Sequence, residues 1–263
     1  MPKSANLKID PSALASVSAL DLLHMISKYP VVTRKMLLIV PQIKGDNLEV
    51  QMNAAADKLK TEATAKVWTV TELRGTAATT SAILSALTLE DPDFVVYYGH
   101  SVSSNIGAYS GSGPDIAISA SNANVLSGLT ASITACSTLN TVGTAAVNAT
   151  CVAFMGYSGL YSAVFSANSA TKAIILSAPL TQEWIDGTNA VNLALIDGAT
   201  FTDAKAVGRK AWDDIWIKWT AMRKLNPKIP SFVPANALDN RDRLDFVGTA
   251  NAVARPIGLL VTT

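Results

Sequence analysis

Two stretches decide how this chain is read: Phe94-Val95-Val96-Tyr97-Tyr98-Gly99-His100 and Ile133-Thr134-Ala135-Cys136-Ser137-Thr138. The first is an apolar and aromatic run too short for a helix, closed by a Gly and then a His. It predicts a buried strand that ends on an imidazole. The second leads a strand directly into a thiol. Both place a reactive side chain where a strand stops.

The same rhythm extends on either side. Met36-Leu37-Leu38-Ile39-Val40 reads as an apolar strand, and Asp46 opens a helix with Leu48, Met52, Ala55 and Leu59 on one side. Val67–Val70 is a second strand, and Thr76–Leu89 a second helix. Residues 140–149 suit a small-residue helix, and Cys151–Met155 a fifth strand. Strands that are apolar throughout are covered on both faces, the habit of parallel sheets. Their alternation with helices predicts right-handed βαβ units and a doubly wound, mostly parallel α/β sheet flanked by helices. The Gly-, Ser- and Asn-rich segment 101–128 breaks the rhythm. Connections of that length usually carry function or a small hairpin.

The ends differ. Residues 10–29 predict an N-terminal helix capped by Asp10, with Pro11 at its first position and Pro30 at its stop. Lys172–Leu176 suggests a sixth strand. Residues 180–196 and 202–224 predict helices, giving a helical C-terminal third. Trp212, Ile215, Trp216, Trp219 and Met222 form one stripe on the second of these. The tail, 227–263, reads as coil or edge strands. The division expected is an N-terminal helical extension over 1–35, a main domain over 36–225, and a tail over 226–263 packed on it.

Composition narrows the classes. The 263 residues carry a formal net charge of +1, so no global field favours nucleic acid, an anionic membrane or an acidic partner. Charged residues are only 16% of the chain, against an ordinary share of about 25%. Packing against copies of itself and a plain bias of composition explain this equally well. Two cysteines cannot frame a fold of this size with disulfides, which makes a reducing, cytoplasmic setting the expectation. No signal peptide is read at the start, and no apolar run nears the ~20 residues of a membrane span.

In an open parallel sheet, ligands bind beyond the carboxyl ends of the strands. If the strands before His100 and Cys136 are neighbours, imidazole and thiol share one rim. A thiol needs a base or a positive neighbour to become a good nucleophile, and a His beside it supplies both.

Tyr98-Gly99-His100 resembles the His-Gly region of the clan that holds caspases, legumains, gingipains, clostripain, separases and CHAT domains. Thr134-Ala135-Cys136-Ser137-Thr138 is similar to the Ala-Cys-Ser-Thr stretch of CHAT domains, the closest likeness in motif. Cys151–Gly156 resembles the strand after the nucleophile, and Gly187–Trp219 that family's later helices. The likeness spans roughly residues 36–220. It implies a caspase-like sheet, a peptidase domain over 36–225, His100 as catalytic His and Cys136 as nucleophile. It also implies an oxyanion hole from the backbone N–H groups of Cys136 and of the residue after the His. The family has Gly at that last position; this chain has Ser101, which keeps the N–H but lacks the freedom of Gly. The implied activity is a cysteine endopeptidase acting on peptide or protein substrates with no cofactor and no metal. The competing expectation is an inactive caspase-like protein used for self-assembly, as a homo-oligomer, or for partner binding. Acyl transfer or other thiol chemistry on the same rim is a third.

Other features are read more plainly. Cys151 lies in an apolar run and is taken as core. His24 lies on the N-terminal helix and is taken to pack or meet solvent rather than react. Gly156-Tyr157-Ser158-Gly159-Leu160 is no nucleophile elbow, because Leu160 holds the final Gly position. Gly107–Gly113 lacks the Gly-Lys-Ser/Thr of a phosphate loop. Asp239, Asp242 and Asp245 suggest Ca²⁺ less than an acidic turn answered by Arg241 and Arg243, and no Cys/His cluster suits zinc.

Overall fold

The structure is a computed structural model, and it describes residues 34–42, 47–111, 114–168, 171 and 173–254. The helix expected at 10–29 with His24, Asp46 at the expected start of the next helix, and Lys172 lie outside the described residues.

Apolar runs become the centre of a six-stranded sheet. The first is β1 (Arg34–Pro41), followed by α1 (Asn47–Ala65) and β2 (Trp68–Gly75), which pairs parallel to β1. The chain then crosses over through α2 (Thr80–Leu89) to β3 (Phe94–Tyr98), which lies on the other side of β1. The Thr79 hydroxyl accepts from the Ala82 N–H at 3.2 Å, so α2 begins at a capped position rather than at Thr76. After β3 come three short strands, β4 (Ser101–Val102), β5 (Asn105–Tyr109) and β6 (Pro114–Ile118), which form a separate antiparallel sheet in that order. The chain returns through β7 (Thr130–Thr134), parallel to β3, then a π turn at Leu139–Gly143 and α3 (Thr144–Asn148) to β8 (Ala153–Tyr157), parallel to β7. Helices α4 (Pro179–Ile196), α5 (Phe201–Leu225) and α6 (Phe232–Arg243) lead to β9 (Leu244–Gly248), which closes the edge antiparallel to β8. The order is β2-β1-β3-β7-β8-β9.

Both faces of this sheet are buried, and the two-residue period of a strand divides each run between two cores. Met36, Leu38, Val40, Phe94, Val96 and Tyr98 face a core built with α1, α4 and α5. Leu37, Ile39, Val95, Tyr97, Ala131 and Ile133 face a second core shared with α2, α3 and the small sheet. The fold is therefore α/β, with a mostly parallel central sheet flanked by helices.

Two readings change, and a third is refined. The run Ile174–Leu176 makes no strand of the main sheet: Ile174 only bridges Ala167, and Ile175 and Leu176 are exposed. The sixth strand is β9 instead. The segment read as coil or edge strands supplies that edge strand and also helix α6. The Trp stripe is mostly internal. Trp212 is fully buried, and Trp216 and Trp219 are half-buried against the same core. Trp219 donates to the Glu183 carboxylate at 2.7 Å, and the Arg241 guanidinium lies 5.6 Å from the Trp216 ring centre. Among the described residues, no helix is long and apolar enough to cross a membrane.

Candidate active site

The strands before the two motifs are hydrogen-bonded parallel neighbours. Their register runs from Phe94 opposite Thr130 to Tyr98 opposite Thr134. The Gly99 N–H extends it by donating to the Thr134 carbonyl at 3.1 Å. His100 and Cys136 each stand two residues beyond the last pair, at the carboxyl ends of adjacent strands. Both are half-buried. Ser101, which follows the His, opens β4 opposite Ile106. It is absent from the residues with positive φ, so its backbone needs no Gly.

The Cys136 sulfur meets the backbone of one residue. The Tyr161 N–H donates to Sγ at 3.3 Å, and the thiol faces the Tyr161 carbonyl at 3.7 Å. Tyr161 is anchored from behind. Its ring meets Tyr157 edge-on at 5.0 Å and Trp212 at 6.3 Å, and its hydroxyl bonds the Thr188 hydroxyl at 2.6 Å. The next residue is clamped by α6. Asn240 is fully buried, accepts from the Ser162 N–H at 2.8 Å and donates to the Ser162 carbonyl at 2.8 Å. The Ser158 N–H donates to the Arg243 carbonyl, and the Arg243 guanidinium to the Leu160 carbonyl. The late helix therefore shapes the wall beside the thiol.

After Cys136 the chain turns sharply. Ser137 takes φ 54°, an uncommon conformation for a residue with a side chain, and its N–H donates to the Gly159 carbonyl at 2.7 Å. Thr141 in the π turn ties this loop to the His side. Its hydroxyl contacts the Ser104 carbonyl at 2.6 Å, at the tip of the β4–β5 hairpin, and the Ser137 carbonyl at 3.3 Å. On the His side, the fully buried Tyr97 hydroxyl donates to the His100 carbonyl at 2.7 Å.

Cys151 is a different thiol. It lies just before β8 rather than inside it, is buried, and faces the Leu129 and Ala153 carbonyls at 3.3 and 3.5 Å. Burial pushes its thiol up to about 12, a backbone hydrogen bond at Ala153 opposing only in part. The two cysteines are not bonded to each other. The acidic turn is answered by cations: Asp239 by Arg243, Asp242 by Arg241, and Asp245 by Lys205 and Arg209. Among the described residues, no group of three or more His, Cys, Asp or Glu is placed to hold a metal.

Sequence reasoning missed the supports: Tyr97, Thr141, Tyr161 and Asn240. Tyr97 alone left a signal, because a Tyr inside a wholly buried strand must find a partner for its hydroxyl.

The sequence matches no family model and no curated protein. Solved structures do match its architecture. The fold resembles that of gingipain R. The crystal structure of this Arg-specific cysteine proteinase matches 91% of the chain with a TM-score of 0.52 at 15% sequence identity. A complex of the pro- and mature domains of Porphyromonas gingivalis RgpB matches 91% of the chain with a TM-score of 0.52 at 14% identity. This chain covers 54% and 55% of those two chains. The likeness establishes the caspase-like sheet.

Proposed function

We propose that the chain is a cysteine endopeptidase of the caspase-like clan, closest in motif to CHAT domains, that works through His100 and Cys136. The observation that supports this most is the register of β3 on β7, which sets a His and a half-buried Cys two residues beyond one strand pair, on the rim where parallel sheets bind ligands. The Cys136 thiolate attacks the peptide carbonyl carbon. The carbonyl π pair moves to oxygen, and the backbone N–H groups of Ser101 and Cys136 hold that charge. The Ser137 N–H, committed to Gly159, does not serve. Collapse of the intermediate breaks the C–N bond, and His100 gives its proton to the leaving amine. Water then hydrolyses the thioester. The domain assigned to this chemistry is the one expected over 36–225, extended to include α6 and β9, acting in a reducing, cytoplasmic setting.

A second reading, partner binding or self-assembly as a homo-oligomer, draws on the exposed Met222, Leu225 and Phe232 around the α5–α6 turn. Cleavage of a mixed peptide library decides between the two. The peptidase reading expects products from the wild-type chain and none from Cys136→Ala. Intact peptides with both proteins, alongside a concentration-dependent rise in mass, favour the second.

A further inference from the structure

We propose that Tyr97 is a positioning residue that sets the orientation of the His100–Ser101 peptide and so presents the Ser101 N–H to the developing oxyanion. This rests on the peptidase reading above.

The argument begins with a buried hydroxyl. Tyr97 is wholly buried, and its hydroxyl donates to the His100 carbonyl at 2.7 Å, three residues along the chain. The backbone of Gly107, in β5, also hydrogen-bonds this hydroxyl. Two glycines make room for the contact. A Cβ on Gly99 would lie 2.8 Å from the Tyr97 hydroxyl oxygen. A Cβ on Gly107 would lie 2.9 Å from the His100 carbonyl oxygen and 3.2 Å from the same hydroxyl. The carbonyl is thus held toward Tyr97 and β5 by one donor and by the absence of two side chains.

The described chain has no cis peptide, so the Ser101 N–H points opposite to the His100 carbonyl. It therefore faces away from β5. Strand β4 is the edge of the small sheet, with β5 as its only neighbour, so that direction is the open edge. This is how a Ser can stand where related enzymes carry Gly. The freedom Gly would give at position 101 is not needed when Tyr97 fixes the preceding carbonyl from below.

The test separates oxyanion stabilisation from thiol access. In one arm, N-acetyl dipeptide aldehydes with basic, acidic or apolar terminal side chains are bound. Sγ adds to the aldehyde carbon, the π pair moves to oxygen, and the thiol proton ends on that oxygen; nothing leaves and nothing is oxidised. In the other arm, iodoacetamide alkylates Cys136 by displacing iodide, which forms no oxyanion. Tyr97→Phe is expected to weaken aldehyde binding roughly tenfold to a hundredfold and leave the alkylation rate and its pH profile unchanged. Gly107→Ala, which crowds the same carbonyl from β5, is expected to do the same. Unchanged aldehyde affinity in both variants overturns the proposal, and so does an equal loss in both arms, which marks a purely structural role. If the wild-type chain binds no aldehyde, the peptidase reading fails. Crystal structures of wild type and Tyr97→Phe then decide the orientation separately. A His100–Ser101 peptide that rotates in the variant supports the positioning role, and one that stays in place overturns it.

Discussion

Cys136 and Cys151 flank neighbouring parallel strands, yet they stand at opposite ends of the sheet and in opposite chemical settings. Cys136 lies beyond the carboxyl end of β7, half-buried, beside a loop clamped by α6. Cys151 lies before the amino end of β8, buried between two carbonyl oxygens that cannot stabilise a negative sulfur. The amino rim even holds an open hollow of about 550 Å³, lined by residues that include Asp91, Asp93, Leu129 and Val152, but Cys151 is not part of its wall. The difference teaches that rim, not residue type, sets how far each thiol is exposed. Past β7 the chain leaves the sheet through a sharp turn at Ser137, where the Cys136 side chain stays within reach of solvent.

The largest test of this contrast is removal of each thiol. Cys136→Ala is expected to lower peptide cleavage by at least about a thousandfold, and His100→Ala by a comparable factor. Cys151→Ala is expected to keep activity within about twofold and cost ~1 kcal/mol of stability, because it removes little volume from a buried site. Steady-state cleavage and thermal unfolding of the three variants measure this. Activity that survives the first change and dies with the last would assign the chemistry to the wrong rim.

Labelling sharpens the contrast without needing a substrate. With its thiol pushed up to about 12, only about one Cys151 in ten thousand is ionised at pH 8. Iodoacetamide at that pH is expected to label Cys136 at least about a hundred times faster than Cys151 in the folded protein. Peptide mapping by mass spectrometry reads the ratio. Equal rates under native conditions would erase the distinction, while equal rates in denaturant are expected.

The parts of this contrast legible in the sequence were those written in continuous runs. The runs at 36–40 and 94–98 could only be buried strands, and their ends located His100. The Ala-Cys-Ser-Thr stretch located Cys136 in the same way. The small sheet was legible only as a small hairpin somewhere in 101–128, because its strands are two to five residues long and its first turn uses Ser103 and Ser104, both with positive φ, where a sequence reader looks for Asn-Gly. Ile174–Leu176 misled for the opposite reason, being apolar while Ile175 and Leu176 are exposed. The edge strand β9 carries Asp245, whose charge is met by Lys205 and Arg209 from α5, a contact no local pattern records. Asn240 was invisible for the same reason, since its partner Ser162 lies 78 residues away.

Asn240 gives the next test, of whether the carboxyl rim is shaped from a distance. Asn240→Ala leaves the Ser162 N–H and carbonyl without their side-chain partner, which costs about 1–3 kcal/mol for a partly buried pair of bonds. Urea unfolding measures the loss. Because the same loop holds the Tyr161 backbone against the sulfur, the Cys136 labelling rate is expected to change severalfold while that of Cys151 does not. A destabilised variant with both rates unaltered would separate the clamp from the thiol.

The smallest expected effect asks whether the contrast is local or comes from charge spread across the sheet. Glu72, on the edge strand β2, is met by Lys60 at 2.7 Å and by Arg74 at 2.5 Å, and Arg74 also reaches Asp57 at 2.7 Å. Burial alone would raise the Glu72 carboxyl, but hydrogen bonds and charge from Lys60 and Arg74 outweigh it and hold it below its ordinary value of 4.5. A carboxyl depressed in the folded state contributes stability that is present above its unfolded value and lost as pH falls through the folded one. Glu72→Gln is therefore expected to cost under about 1 kcal/mol at neutral pH, since solvent screens the pairs, and the gap to wild type is expected to close as pH drops below 4.5. Thermal unfolding from pH 7 to 3 follows the gap. Two strands, β1 and β3, separate Glu72 from Cys136 in the sheet order, and the register places Cys136 four residues further along, a distance of roughly 20 Å at ordinary strand spacing and rise and beyond the ~10 Å screening length at 0.1 M salt. Cys136 labelling is accordingly expected to be the same in Glu72→Gln and wild type. A shift in that rate would mean that the protein's summed charge, and not the contacts immediately around each sulfur, sets the two thiols apart.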